Sequence, residues 1–340
     1  MTNVAVTGAG GFIGSHLVDA LLARGETVLA LDVGRKRPPN LEEASQRQGF
    51  TYRTCDVTLE SSVRRAFSGR PEAVVHAAAT VGVESYHTHP METVESSVIG
   101  TRTVLRAAME PPLRFVYLSS SEVFGRNPAI PWTETSDRVL GDPSLHRWSY
   151  ASSKGLCEHL VNGAHAEFGL PTVIARPFNI YGPRQRPAFV VPITIHRILQ
   201  GLPPVIYGDG KQTRCFTFVA DLIDGLLRCL DAPAAVGQTF NLGNPKERTI
   251  DETMRLILSA CGSPLEPTHA DPVSVFGPGF EEIPRRVPEV SKARRLLEWT
   301  PRTELPEGLA ATVAWARSHP EWGRRPRRPR RPDPNALPSS

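Results

Sequence analysis

Tyr150 and Lys154 stand four residues apart in Trp148-Ser149-Tyr150-Ala151-Ser152-Ser153-Lys154. On a helix that spacing puts both side chains on one face, with their functional ends in reach of each other. A phenol with an ordinary pKa near ~10 is a poor base at neutral pH, and a neighbouring ammonium favours its phenolate. Lowering that pKa by about three units takes roughly 4 kcal/mol, within the range of a close, poorly solvated cation. A second reactive set, Ser119-Ser120-Ser121-Glu122-Val123-Phe124-Gly125, follows the apolar run Arg114-Phe115-Val116-Tyr117-Leu118. An ionisable Glu122 where a buried strand hands the chain to a loop asks for a reason. The serines lack a Gly-x-Ser-x-Gly context and a matching His and Asp pattern, which argues against serine hydrolysis.

The elements that must position these groups alternate. β-rich runs at Asn3 to Thr7, Thr27 to Asp32, Phe50 to Cys55, Ala73 to His76 and Phe115 to Ser119 are interleaved with helical segments. Those segments are Phe12 to Arg24, Leu59 to Phe67 and Pro90 to Met109. A helix over Ala151 to Phe168, with Leu156, Leu160, Ala164 and Phe168 at spacings of four, leads into the β-rich Pro171 to Ala175. Such alternation predicts an α/β fold, a Rossmann-like doubly wound parallel sheet covered by helices on both faces. Beyond it the pattern loosens into short apolar pieces such as Pro204 to Tyr207 and Thr239 to Leu242, a smaller and more irregular α/β lobe.

Thr7-Gly8-Ala9-Gly10-Gly11-Phe12-Ile13-Gly14 spans the end of strand one and the start of helix one, where backbone N–H groups can face a pyrophosphate. Gly8 and Gly11 permit the tight turn and a close backbone approach, and Gly14 lets the helix lie against the sheet. Phe12 and Ile13 open that helix beside the cofactor. Asp32 ends strand two, where an acid accepts hydrogen bonds from the adenosine ribose and repels a 2′-phosphate. That favours NAD over NADP, although Arg35, Lys36 and Arg37 follow closely. Asp56-Val57 and Ala77-Ala78-Ala79 stand at later strand ends, and small residues there leave room for a flat cofactor.

Together these motifs resemble the extended short-chain dehydrogenase/reductase family of nucleotide-sugar epimerases, dehydratases and decarboxylases, which pairs TGxxGxxG with YxxxK. The resemblance covers roughly Thr2 to Ala316. It implies Tyr150 as catalytic base, Lys154 lowering its pKa and holding the nicotinamide ribose, and Ser120 hydrogen-bonding the reacting hydroxyl. In Arg176-Pro177-Phe178-Asn179-Ile180-Tyr181-Gly182-Pro183-Arg184, it puts Pro177 against the nicotinamide and Asn179 and Arg184 on the nucleotide-sugar side. Gly208 to Arg214 resembles the turn whose arginine meets the diphosphate. Ser97 departs from the family's usual asparagine, so a structural hydrogen bond near the site is in doubt. The implied division is an NAD-binding domain over 1–177 with parts of 213–243, a sugar lobe over 178–212 and 244–318, and a basic tail over 319–340.

The shared chemistry implied is oxidation of the sugar 4-hydroxyl to a ketone, with hydride passing to NAD. Three outcomes stay open: 4-epimerisation, 4,6-dehydration, or loss of a C5 carboxylate as CO2. Ser121-Glu122-Val123 resembles UDP-glucuronate decarboxylases and also GDP-mannose dehydratases, whereas dTDP-glucose dehydratases use Asp-Glu. Arg147 to Tyr150, Lys211 to Phe216 and Ile283 to Pro288 also lean to a decarboxylase, with Arg286 beside the carboxylate. The same arginine position binds diphosphate in many epimerases. On this reading Glu122 sits where chemistry at C5 or C6 needs an acid, base or hydrogen-bond partner. A non-catalytic NAD-binding sensor is the contrasting class; retention of both Tyr150 and Lys154 argues against it.

Bulk properties set limits around this. The chain has 340 residues, 40% apolar and 22% charged, as expected of a soluble globular protein. No stretch reaches the roughly 18 to 20 apolar residues of a membrane span, and the N-terminus enters a strand directly, so the expectation is a cytoplasmic protein. The net charge of +4 is a property of the C-terminus: residues 324–340 hold six arginines and one aspartate, so the rest carries one excess negative charge. That removes the argument for specific nucleic-acid binding, and the Arg/Pro run is expected to be an extended, solvated tail. The five cysteines show no paired spacing and are expected to be reduced and buried. His87 and His89 form a lone pair before Pro90, expected to line the sugar loop rather than hold a metal. Trp148 and Trp299 are expected in the core or at its rim. A homodimer through the helices near 90 to 109 and 151 to 168 is a family expectation.

Overall fold

The computed structural model describes residues 2–82, 88–276 and 281–323. Seven parallel strands form the central sheet: β1 (Asn3–Thr7), β2 (Thr27–Asp32), β3 (Phe50–Thr54), β4 (Ala73–His76), β5 (Arg114–Leu118), β6 (Thr172–Pro177) and β7 (Gln238–Leu242). Their spatial order is β7-β6-β5-β4-β1-β2-β3, so the winding reverses between β1 and β4. In open sheets of this kind the crevice at such a reversal, outside the carboxyl ends of the strands, is where ligands bind. Register brings those ends together: Thr7 pairs with His76 and Leu31, and Leu118 with Ala175. Gly8, Ala77, Asp32, Ser119 and Arg176 therefore leave the sheet along one edge or lie at it.

The strands read as near-continuous apolar runs because both faces are covered. Alternation sends Val4, Val6 and Val75 to one core and Ala5, Val74, Phe115 and Tyr117 to the other. Helices α1 (Phe12–Ala23) and the later Val219–Asp231 cover the first face. On the second lie α2 (Glu60–Ala66), α3 (Pro90–Ala108) and α4 (Arg147–Phe168). A separate apolar cluster gathers Ile195, Ile206, Met254, Ile257 and Leu309 from the later segments.

Strand bounds fall within two residues of those expected from sequence, and two readings change. Thr239 to Leu242 belongs to the central sheet as β7, hydrogen-bonded along β6, because its run of buried residues fills the sheet's last position. In α4 the expected stripe is only partly buried: Leu156 is 49% and Phe168 64% exposed, while Ala151, Lys154, Cys157, Glu158, Val161 and Ala164 face inward. The apolar spacing was misleading because this helix buries two ionisable groups. The helix also begins at Arg147, so Tyr150 lies in its first turn.

All five cysteines are free and buried, and Trp148 and Trp299 are core residues. Among the described residues no helix is long and apolar enough to cross a membrane. His87 and the tail from Arg324 onward lie outside the described residues.

Candidate active site

At the end of β1 the chain turns on Gly8, whose φ of +67° only glycine adopts freely. A Cβ there would sit 2.8 Å from the Ala78 Cα, so Gly8 also admits the β4 loop. A Cβ on Gly14 would overlap the Gly8 carbonyl oxygen and lie 2.9 Å from the Ala9 Cα, which makes Gly14 the residue that lets α1 start against the turn. The first turn of α1 carries no acidic residue and no side-chain cap on Gly11, leaving an N-terminus that favours an anion. Asp32 accepts from the Gly10 N–H at 2.9 Å and the Val33 N–H at 2.8 Å. Burial pushes its carboxyl up, and those backbone donors oppose the shift. Ala78 donates to Thr7 Oγ1 (3.2 Å), Asp56 is held by Thr58 (2.6 Å), and Val57 packs under Gly100. Ala77 and Ala79, like Ala78, are only half-buried beside this groove. Bare backbone, small side chains and an open helix N-terminus make a cradle that fits a dinucleotide such as NAD.

Lys154 is buried, donates from Nζ to the Leu118 carbonyl at 2.7 Å and lies 6.0 Å from the centre of the Tyr150 ring. Burial pulls its pKa down to about 8, with Cys157 and Glu158 pulling the other way. The pair is therefore together at the end of β5, where the serine turn begins. Ser120 caps that turn, its Oγ accepting from the Glu122 N–H at 3.1 Å, and its side chain stays half-buried beside the groove. Ser121 is buried, so Ser120 is the serine that the fold presents.

Glu122 has a partner from far along the chain: Arg286 donates to its Oε1. Burial pushes the Glu122 carboxyl up, but the charges of Arg286, Arg147 and Arg214 outweigh it and hold the group below the ordinary carboxylate range. Glu122 is thus ionised at neutral pH. Arg214 is tied to Glu282 and to the Thr213 carbonyl at 2.7 Å. Arg147 donates to the Glu281 carbonyl and lies 4.7 Å over the Trp148 ring, while its buried Nε has no hydrogen-bond partner among the described residues.

Arg184 does not join this cluster: it ion-pairs with Asp19 on α1 at 2.6 Å. The resemblance put Arg184 on the nucleotide-sugar side; with a left-handed backbone (φ +67°) it lies against α1. Asn179 (φ +41°) donates to the Cys215 carbonyl at 3.3 Å, and Pro177 closes β6 at the sheet edge. Ser97 Oγ turns back to the Thr93 carbonyl (2.9 Å), and the Cys157 thiol donates to the Ser97 carbonyl (3.3 Å), so backbone supplies the tie between α3 and α4.

Sequence reasoning named Arg147 only within a decarboxylase-like stretch and gave no role to Glu158, Arg176 or His76. Glu158 and Arg176 form a buried ion pair, and neither residue advertises the other across 18 positions. His76 is buried between Thr7 Oγ1 (2.7 Å) and Thr101 Oγ1 (3.2 Å), and burial followed by the Lys154 charge lowers its pKa to about 3, so it is neutral. Thr7 Oγ1 thus bridges the Ala78 N–H and the His76 Nδ1.

Known proteins match this arrangement. The NAD dependent epimerase/dehydratase family profile matches residues 4–243. The UDP-N-acetyl-alpha-D-glucosaminuronate decarboxylase of Bacillus cytotoxicus is 36% identical over 315 residues, 92% of this chain and 97% of that one. UDP-glucuronic acid decarboxylase 2 of Arabidopsis thaliana is 35% identical over 91% of this chain and 67% of its own length. Among solved structures, the UDP-glucuronic acid 4-epimerase of Bacillus cereus, in complex with UDP-glucuronic acid and NAD, superposes with a TM-score of 0.83. It is 28% identical and the match covers 93% of this chain and 99% of that one. The chain belongs to the NAD-dependent epimerase/dehydratase family, a family of enzymes.

Proposed function

We propose that this enzyme decarboxylates a UDP-linked uronic acid through a 4-keto sugar. The observation that carries the reading is the ionised Glu122, bound by Arg286 at the end of the serine turn, with Arg147 and Arg214 also close enough to hold it charged. Three guanidinium groups against the carboxylates of Glu122 and Glu282 leave one excess positive charge, which suits an anionic substrate group. The two decarboxylase relatives, both named for uronic-acid substrates, support the same choice.

Gly8, Gly11 and Gly14 with the α1 N-terminus, Phe12 and Ile13 would hold the NAD pyrophosphate end, with Asp32 at the ribose and Asp56, Val57 and Ala77 to Ala79 along the groove. Lys154 and Pro177 would hold its nicotinamide end. NAD held there would supply the hydride acceptor for oxidation at C4 and the hydride donor for the closing reduction. Tyr150, as phenolate beside Lys154, takes the proton of the 4-hydroxyl while Ser120 hydrogen-bonds the same oxygen. With C4 a ketone, the C5 carboxylate belongs to a β-keto acid; the C5–C6 bond breaks, CO2 leaves, and its electron pair stays as an enolate. A water hydrogen-bonded to Glu122 protonates C5, the hydroxide left behind combines with the released CO2 as bicarbonate, and Tyr150 returns its proton to the C4 oxygen as the ketone is reduced. Arg214 and Asn179 would sit on the diphosphate side and Arg286 between it and the carboxylate. On this reading 1–177 with parts of 213–243 bind NAD, and 178–212 with 244–318 bind the nucleotide sugar.

The likeness to a UDP-glucuronic acid 4-epimerase favours a second reading, epimerisation of the same substrate. Incubation with UDP-glucuronate or UDP-N-acetylglucosaminuronate and NAD separates the two: CO2 with a UDP-pentose is expected. A 4-epimer without CO2 would install the second reading, and no turnover of any nucleotide sugar would leave an NAD-binding sensor. Glu122→Gln should leave C4 oxidation intact and slow the later step, formation of the UDP-pentose, about 100-fold; if neither step slowed, Glu122 would be a bystander. We also propose a cytoplasmic homodimer joined through α3 and α4, because Met91, Val94, Ile99, Leu156 and Phe168 expose apolar surface there. Sedimentation showing only monomer at micromolar concentration would remove that proposal.

A further inference from the structure

We infer that Glu158 and Arg176 act as a buried positioning pair for the reaction at C4, an inference that rests on the proposed function for its kinetic test. Both are nearly inaccessible, at 5% and 7% exposure. The guanidinium grips the carboxylate with two bonds, Arg176 Nε to Glu158 Oε1 at 2.8 Å and Nη2 to Oε2 at 2.6 Å. Ser119 Oγ donates to the same Glu158 Oε1 at 2.6 Å. Arg176 Nη1 donates to the Glu134 carbonyl at 2.9 Å, and its guanidinium lies 4.9 Å over the ring of Phe124, the last residue of the serine turn.

Each partner belongs to a segment that carries a different site residue. Ser119 precedes Ser120, Glu158 is one helical turn beyond Lys154, and Arg176 precedes Pro177. Lys154 Nζ to Leu118 O and Ser119 Oγ to Glu158 Oε1 are successive ties, one turn apart, between α4 and the end of β5. Two such ties set both the rotation of the helix and its position along its axis. Stability alone gives little reason for the pair, since buried ion pairs are often matched or surpassed by apolar residues of similar volume. A planar fork of charge-assisted hydrogen bonds instead fixes direction and distance, which apolar packing leaves adjustable. The pair therefore sets Ser120, the Tyr150/Lys154 helix and Pro177 relative to one another without touching the substrate.

The test compares Glu158→Gln, Arg176→Lys and the apolar double variant Glu158→Leu/Arg176→Met in the full chain. Three readouts are taken: thermal melting, UDP affinity, and single-turnover reduction of NAD by UDP-glucuronate. A fourth is the Tyr150 phenolate titration by ultraviolet difference against Tyr150→Phe, which needs no substrate. The double variant should melt near the wild type and bind UDP within about twofold, yet reduce NAD about 100-fold more slowly, the effect of a misplacement near 1 Å. Its phenolate titration should move upward as Lys154 loses its fixed place. A double variant that recovers stability, rate and titration together would make the pair a packing element and overturn the inference. If even the wild type never reduces NAD with a nucleotide sugar, the proposed function fails instead. The phenolate titration then decides the pair: a shift sustains it, and an unmoved titration overturns it.

Discussion

The two sides of the cleft are built differently. On the cofactor side recognition rests on backbone: Gly8 and Gly14 let main chain approach main chain, and the contacts come mostly from one βαβ stretch. On the proposed sugar side stand long charged side chains from four distant segments, Glu122, Arg147, Arg214 and Arg286, which act electrostatically on one another. A backbone cradle tolerates no added atom, whereas a cluster of arginines can be retuned one charge at a time. The same fold can therefore keep its cofactor while its sugar chemistry diverges.

Substitutions can break this contrast or sharpen it. The largest effect belongs to the residue that serves both sides: Tyr150→Phe should lower C4 oxidation about 10²- to 10⁴-fold with NAD and UDP affinities unchanged, by stopped-flow absorbance and calorimetry. Gly14→Val should abolish measurable NAD binding and lower stability by about 1–3 kcal/mol, because the atoms it meets are backbone. If NAD bound normally, the cradle would not be backbone-limited.

Lys154 gives a pH signature. With its pKa at about 8, C4 oxidation should fall about tenfold per pH unit above that value as the ammonium supporting the phenolate is lost. Stability should move the other way. Below pH 8 both folded and unfolded lysine are protonated and the burial cost is felt in full; between about 8 and 10.5 the folded state has shed its proton first, so stability rises with pH. Lys154→Met should flatten that rise in denaturant titrations.

On the sugar side, Arg147→Gln should weaken UDP-glucuronate about tenfold and leave UDP-glucose unchanged, measured by competition calorimetry. Equal losses for both would assign Arg147 to the diphosphate or to folding. Arg184→Gln should change UDP-sugar affinity less than about twofold and cost about 1 kcal/mol through the lost Asp19 pair. A larger loss of affinity would return Arg184 to the sugar site.

Much of the cofactor side could be read from the chain because its signals are local. Strand, turn and helix follow one another within residues 3–23, and the missing Cβ atoms at Gly8 and Gly14 are visible as letters. The YxxxK pair was equally legible, since helical geometry alone puts Tyr150 and Lys154 on one face. The apolar stripe proposed for α4 failed at Leu156 and Phe168 for the opposite reason. What a helix buries is decided by what packs on it, and here that includes the serine turn and Arg176. The pairing of Arg184 with Asp19 was not legible, because an ion pair across 165 positions leaves no local signal.

By itself, then, the sequence determined the alternating sheet, the dinucleotide turn, the Tyr150/Lys154 pair and the presence of an unexplained glutamate after β5. Tertiary structure alone decided that Glu122 meets Arg286, 164 residues away, that Arg147 and Arg214 join in holding it ionised, and that Glu158 grips Arg176 beneath the serines. The physical reason is range. Backbone conformation and helical spacing act over a few residues, whereas the protonation and partner of a buried charge depend on every group that folding carries to within a few ångströms of it.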